Sequence, residues 1–353
     1  MTRRMVPDMA TKTPPEAPTD LRDTAELELH RRELTGYCYR MLGSLFEAED
    51  AVQETMLRAW RSGDGFEGRS SPRTWLYRVA TNVCVDMLRG RKRRALPMGL
   101  VPVTRTDSAV LGPALPQERW VLPVPDGRVL DDSADPAELA AARESVQLAF
   151  LAALMYLPAR QRAVLILREV LGLSAAEVAE LLGSSTASVT SALQRARATL
   201  AARGPAVPPA ARPDDAVRRN LLAGYVDAFE RYDVARLTAL LCDDAVQQMP
   251  PYELWLHGSD EIGRWMLGPG IECRGSRLLP TSANGCPAFA HYRSDGRGGY
   301  RGFSLMVLEV EPGGERIRSL HSFLLPELLF PAFGFPLTLP GTDLPGTDLQ
   351  GTD

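Results

Sequence analysis

Two hydrophobic rhythms divide this chain. Up to about residue 203 the apolar positions recur every three or four residues, which predicts amphipathic helices; beyond about 240 they form short runs bounded by Gly, Pro and Asn, which predicts strands. In "SLFEAEDAVQETMLRAWR" (44–61), Val52, Met56 and Trp60 recur at i, i+4 and i+8 and predict one buried stripe. Asp50, Gln53, Glu54 and Leu57 are left together on another face. Around 71–89, Ser71 fits an N-cap with Pro72 at N1. Leu76, Ala80, Val83 and Met87 then mark a core side, and Arg78, Asn82, Asp86 and Arg89 an exposed side. Trp75 and Tyr77 are too close in sequence to share one face, so at least one packs inward, with Trp75 the expected one.

A second helical stretch carries a helix-turn-helix pattern. Pro158 opens "PARQRAVLILREVLG" and Gly172 ends it; Ser174 and Glu177 fit a capping box; Gly183 supplies a turn, and Ser184 or Ser185 caps "TASVTSALQRARATLAAR". That last helix carries Arg195, Arg197 and Arg203 and no acid, as a helix lying in the major groove would. Beyond it, two amphipathic helices ("AVRRNLLAGYVDAFERYD", "VARLTALLCDD") precede six strand-like runs, with "NG" at 284–285 and "GG" at 313–314 as hairpin turns.

Proline marks the seams. The expected division is a disordered tail over 1–26, a helical unit over 27–96, and an acidic, Pro-rich, mobile linker over 97–136. The helix-turn-helix unit follows over 137–203, a linker over 204–214, an α+β unit over 215–330, and a tail over 331–353 repeating G-T-D-L. The fold class is thus multidomain, two all-α units followed by an α+β unit.

Charge sharpens this picture. The chain is at net −4, yet 69–94 holds eight Arg/Lys against the single acid Asp86. The α+β unit has fifteen acids against twelve arginines, which argues against a nucleic-acid surface there. Five scattered cysteines with no C-x-x-C pair, and four histidines (His30, His257, His291, His321) without ligand spacing, predict no zinc site, no disulfide framework and no cofactor; Cys38 and Cys84 are expected in the core. The N-terminus lacks the apolar core of a signal peptide and no window suits a membrane span, so a cytoplasmic protein is expected. A basic helix interleaved with aromatics suits single-stranded DNA, whose bases stack on rings and whose phosphates pair with Arg and Lys.

These residues carry a resemblance. "EAEDAVQETMLRAWRSGDGFEGRSSPRTWLYRVATNVCVDMLRGRKRR" looks like region two of bacterial RNA polymerase sigma factors of the extracytoplasmic-function (ECF) group, within the sigma-70 family. "LPARQRAVLILREVLGLSAAEVAELLGSSTASVTSALQRARATL" resembles their region four. The third unit, through "MPPYELWLHG" and "LLPTSANGCPAFAHYR", resembles the SnoaL-like domain, a ketosteroid-isomerase-like cone carried by one subgroup of these factors. The resemblance implies that Asp50, Gln53, Glu54 and Leu57 grip the coiled-coil of the polymerase largest subunit, with region four on the flap. It implies that Arg69, Arg73, Tyr77, Arg78, Asn82, Arg89, Arg91, Lys92, Arg93 and Arg94 contact the −10 element. Ser184, Ser185, Ser188, Ser191, Arg195 and Arg197 then read the −35 element; Thr190-Ser191-Ala192 stands where many relatives place arginines, so fewer bidentate guanine contacts are available. Partners implied are core RNA polymerase and promoter DNA, with an anti-sigma factor or a small-molecule ligand of the third unit left open.

Enzymes on ketosteroid-isomerase-like cones place a carboxylate in the pocket as general base. The candidates are Asp243, Asp244, Asp260, His257 and His321, none with a partner at convincing spacing, and the last strand ends "FLLP" where many relatives read "FLDP". A non-catalytic, regulatory or ligand-sensing third unit is expected, and Trp255, Trp265, Phe289 and Tyr292 are expected as core. The rivals are a one-component helix-turn-helix regulator with a ligand-sensing domain, and an isomerase or cyclase with a DNA-binding passenger.

Overall fold

The computed structural model describes residues 24–61, 71–108, 112–203 and 215–341. The tail over 1–23, Arg69, the linker over 204–214 and the G-T-D-L repeat from 342 lie outside the described residues.

The first unit packs α1 (Thr24–Leu29), α2 (Arg31–Leu42), α3 (Leu45–Arg61) and α4 (Pro72–Leu88). Ser71 caps α4 as expected, its hydroxyl accepting from the Thr74 amide at 3.1 Å with Pro72 at N1. Cys38 and Cys84 are fully buried between α2 and α4. Two expectations are corrected. Trp60 is 53% exposed, because eight residues at 100° each carry it about 80° round the helix from Val52. Tyr77, not Trp75, is the sealed ring: it meets Tyr37 edge-on at 5.2 Å, while Trp75 stays half-buried.

The expected mobile linker is ordered structure over most of its length. Trp120, Val121, Leu122 and Val124 are buried, Ala95 bridges to Trp120, and α5 (Asp126–Val129) forms a single turn. The apolar run "WVLPV" overrides an average composition that is acidic and Pro-rich, since burying each such side chain is worth about 1.5–3 kcal/mol.

The second unit contains α6 (Pro136–Glu144), α7 (Leu148–Leu154), α8 (Ala159–Leu165) continued by a π turn (Ile166–Val170), α9 (Ala175–Leu181) and α10 (Thr186–Arg203). Both halves of the Ser174–Glu177 capping box form, and Gly172 and Gly183 take the left-handed conformations (φ 68° and 57°) that end their helices. Ser185 is the cap of α10, accepting from the Ser188 amide at 3.2 Å.

The third unit comprises α11 (Asp215–Glu230), α12 (Val234–Ala239), β1 (Leu241–Gln248), β2 (Trp255–His257), α13 (Ser259–Leu267), β3 (Arg277–Ala283), β4 (Cys286–Ser294), β5 (Tyr300–Val310), β6 (Ile317–Phe323), α14 (Pro326–Ala332) and β7 (Thr338–Leu339). The sheet runs β2-β1-β6-β5-β4-β3, with only β1–β6 parallel, and β7 pairs with β5. Asn284 and Gly285 turn the β3–β4 hairpin at φ 57° and 71°. The tail expected from 331 begins later: α14 covers the sheet with Phe330, and Gly302 donates to the Leu337 carbonyl at 2.8 Å. The segment 241–244, expected to end a helix, instead starts β1.

One apolar cluster runs through all three units, and others belong to the third unit alone. On β5, Met306 and Leu308 pack with Leu221, Tyr225 and Phe229 of α11, whereas Leu305 and Val307 join the cluster formed by the two helical units. Both faces of this strand are buried, which is why it reads as continuously apolar.

Candidate nucleic-acid interface

On α3, Asp50, Gln53, Leu57 and Trp60 lie at i, i+3, i+7 and i+10 and are all exposed, one face that the sequence reading left incomplete by assigning Trp60 inward. Glu54 sits beside it, half-buried and paired with Arg58 at 2.6 Å. The face is acidic at one end and apolar at the other, with Leu57 and Trp60 among the few large apolar side chains in water.

The basic helix is more divided than its charge count suggests. Asn82 and Arg89 are exposed on the outer side of α4, and Arg91 and Lys92 follow on its open end. Arg73 is tied to Glu33 at 2.7 Å, and Arg91 to Glu47 at 2.6 Å. Arg78 is half-buried, its Nε without a hydrogen-bond partner among the described residues. Two assignments are corrected. Arg94 is 7% exposed: it donates to the carbonyls of Gln117 (2.9 Å) and Trp120 (2.6 Å) and pairs with Glu47 at 2.8 Å, so it holds the strap formed by 95–108 and 112–124 and offers nothing to a phosphate. Tyr77 is 1% exposed with its hydroxyl on Glu33 at 3.2 Å; burial pushes that hydroxyl above its usual range, and its ring has no face for a base. Arg93 stacks on Tyr156, 3.7 Å from the ring centroid, tying the end of the cluster to the second unit.

Ser184 and Ser185 are exposed at the turn before α10, and Ser188, Ser191 and Arg195 along one side of the helix; Arg197 is exposed too, but on the side opposite Ser188. Arg197 is engaged by Glu169 at 2.5 Å, which leaves Arg195 beside the serines with no ion pair among the described residues. Two further arginines, invisible as structural groups in the sequence, are buried: Arg40 donates to Ser145, and Arg162 to the carbonyls of Met41, Met155 and Leu157. Burial pushes both guanidinium groups down to about 10. They join the first unit to the second.

The third unit's inner cavity, about 230 Å³, lies among Tyr225, Phe229, Trp265, Met306 and His291. His291 is held by the hydroxyls of Ser304 (3.1 Å) and Ser276 (2.9 Å), and burial drives it down to about 3, so it is a neutral core group. None of the five acid–base candidates lines this cavity: Asp243, Asp244, Asp260 and His257 are exposed, and His321 is on the opposite face of the sheet. Phe289 and Tyr292 are core as expected; Trp265 is buried but lines this cavity, and Trp255 is half-buried and donates its indole N–H to Val101 of the strap at 2.9 Å.

Residues 27–94 match the sigma-70 region 2 family and residues 147–200 the sigma-70 region 4 family. The ECF RNA polymerase sigma factor SigG of Mycobacterium tuberculosis is 45% identical over 319 residues, 90% of this chain and 84% of that protein. SigW of Bacillus subtilis is 31% identical over 175 residues, 49% of this chain and 84% of its own length. In fold, the crystal structure of the Mycobacterium tuberculosis ECF sigma factor SigJ superposes with a TM-score of 0.57 at 24% identity, covering 89% of this chain and 99% of that one. Two family regions in sequence order, on helices that leave one acidic face and two basic faces in water, together with close relatives along nearly the whole length, place this chain in the ECF family of RNA polymerase sigma factors.

Proposed function

We propose that the chain docks on core RNA polymerase through the Asp50–Gln53–Leu57–Trp60 face of α3 and Glu54, reads the −10 element with Asn82, Arg89, Arg91 and Lys92, and reads the −35 element with Ser184, Ser185, Ser188, Ser191 and Arg195. ECF sigma factors are non-enzymatic initiation factors that bind core polymerase and promoter DNA, and this chain is one of them. We place it in the cytoplasm, where polymerase and chromosome are. A one-component regulator would have no use for the α3 face, which is the observation that most favours polymerase docking over that reading.

The third unit acts as a brake. The −10 and −35 elements are, by name, about 25 base pairs apart, on the order of 80 Å along a duplex. Here α4 packs directly against α8 and α9, so the two reading helices cannot occupy both elements at once. The outer sheet face and the Asn284 turn hold that closed arrangement. Opening it is the step that converts stored factor into initiating factor.

The test is transcription with purified core polymerase. Promoter-specific transcripts are expected with the intact chain, and Asp50→Lys with Glu54→Lys is expected to abolish core binding while the protein stays folded. Undiminished core affinity in that double variant would overturn the docking assignment.

A further inference from the structure

A second cavity, about 720 Å³, lies on the outer side of the sheet, within the roughly 300–1,000 Å³ typical of small-molecule sites. All three units build it: Leu96 and Met98 from the strap, Ala149 and Ala153 from α7, and Trp255 from β2 form its walls. At its floor is a polar chain that the fold does not complete. The Met98 amide donates to Gln248 Oε1 at 3.0 Å, which turns the Gln248 NH2 toward His321 Nδ1 at 3.4 Å. Nδ1 therefore accepts, and the ring proton sits on Nε2. That Nε2 is 3.5 Å from Glu309 Oε1, and neither atom has a hydrogen-bond partner among the described residues. His321 is only 2% exposed, so a buried donor and a buried acceptor face each other at a separation long for a direct hydrogen bond, at the edge of an open space.

We infer that this inter-unit cavity binds a small, uncharged, largely apolar molecule carrying one hydroxyl, which accepts from His321 Nε2 and donates to Glu309 Oε1. A hydroxyl does both at one atom; an ammonium cannot accept, and a carboxylate would meet Glu309. Glu309 is ionised in its place: burial pushes its carboxyl up, but His321, the Ser319 hydroxyl and the Ala149 amide hold it below the usual range. Around the cavity, Arg218 and Arg318 are outnumbered by Asp244, Glu311 and the buried Glu309, so the lining disfavours an anionic ligand. Because the walls come from three units, occupancy bears on the closed arrangement; that consequence rests on the braking role proposed above.

Three fluorescent probes on one skeleton test the site on the full chain: 2-naphthol, naphthalene and 2-naphthoate. The expected result is 2-naphthol binding about tenfold tighter than either relative, the yield of hydrogen bonds to a charged and a buried partner. His321→Ala should reduce 2-naphthol to the level of naphthalene and leave naphthalene unchanged. Ala153→Trp, which fills the space, should abolish all binding, with Ala149→Leu as a milder second filling variant if the tryptophan prevents folding. Equal affinity for the three probes, or binding untouched by filling the cavity, would sink the proposal. The readout uses neither polymerase nor DNA, so its failure leaves the transcription result standing, and the reverse holds.

Discussion

The side-chain amide of Asn284 donates to the hydroxyl of Tyr39 at 2.7 Å, across 245 positions of chain. The same NH2 donates to the Val146 carbonyl at 2.7 Å, and its oxygen accepts from the Val124 amide at 3.0 Å. One fully buried hairpin residue thereby contacts the first unit, the strap and the start of the second unit. Tyr39 passes the link on, donating to the Leu122 carbonyl at 2.7 Å.

Asn284→Gly keeps a residue at ease with φ 57° but strands the buried Val146 carbonyl and Val124 amide, each costing about 1–3 kcal/mol, and takes one of its two partners from the Tyr39 hydroxyl. We expect a loss of about 3 kcal/mol or more in chemical denaturation and, if the closed state is the brake, a rise in transcript yield at a temperature where the variant is folded. Unchanged stability would remove Asn284 as the junction.

Trp60→Ala should weaken core-polymerase binding by about 2 kcal/mol, as aromatic anchors at interfaces do, while changing stability by no more than about 0.5 kcal/mol. Titration of labelled protein against core polymerase, paired with a melting curve, checks both halves. A destabilised variant with normal affinity would return Trp60 to a structural role.

Arg94 and Arg89 should behave oppositely although five residues apart in one basic run. Arg94→Ala removes a buried cation from two carbonyls and Glu47 and is expected to cost about 3 kcal/mol or more of stability. Arg89→Ala, at a side chain 78% exposed, should leave stability intact and lower the salt slope of promoter-DNA binding by about one. Salt-dependent binding and denaturation of the two variants separate the roles.

Acidification should loosen the strap from the third unit. Arg264 and the Thr106 amide hold the Glu261 carboxyl at about 2, against an ordinary 4.5. A lowered folded value means that the stabilisation is complete above about 4.5 and disappears as pH falls toward 2. Denaturation midpoints at pH 6 and pH 3 should therefore fall less in Glu261→Gln than in the parent chain; equal falls would show that this link contributes nothing.

Much of the architecture was readable in short-range pattern. The Ser71 and Ser174 caps, Gly172 and Gly183, and the Asn284-Gly285 turn are each set by local backbone chemistry within a few residues, so a linear reading finds them. The exposed serine side of α10 and the Asp50–Leu57 face follow from helical periodicity alone. Tertiary packing decided what periodicity could not. It sealed Tyr77 and Arg94, because which of several amphiphilic side chains meets a partner depends on other segments of the chain, Tyr37 and Glu33 for Tyr77 and Gln117, Trp120 and Glu47 for Arg94. It also ordered an acidic, Pro-rich stretch, since the apolar run 120–124 is buried against residues of the first and third units, among them Gly43, Tyr39 and Asn284, that no local window could reveal.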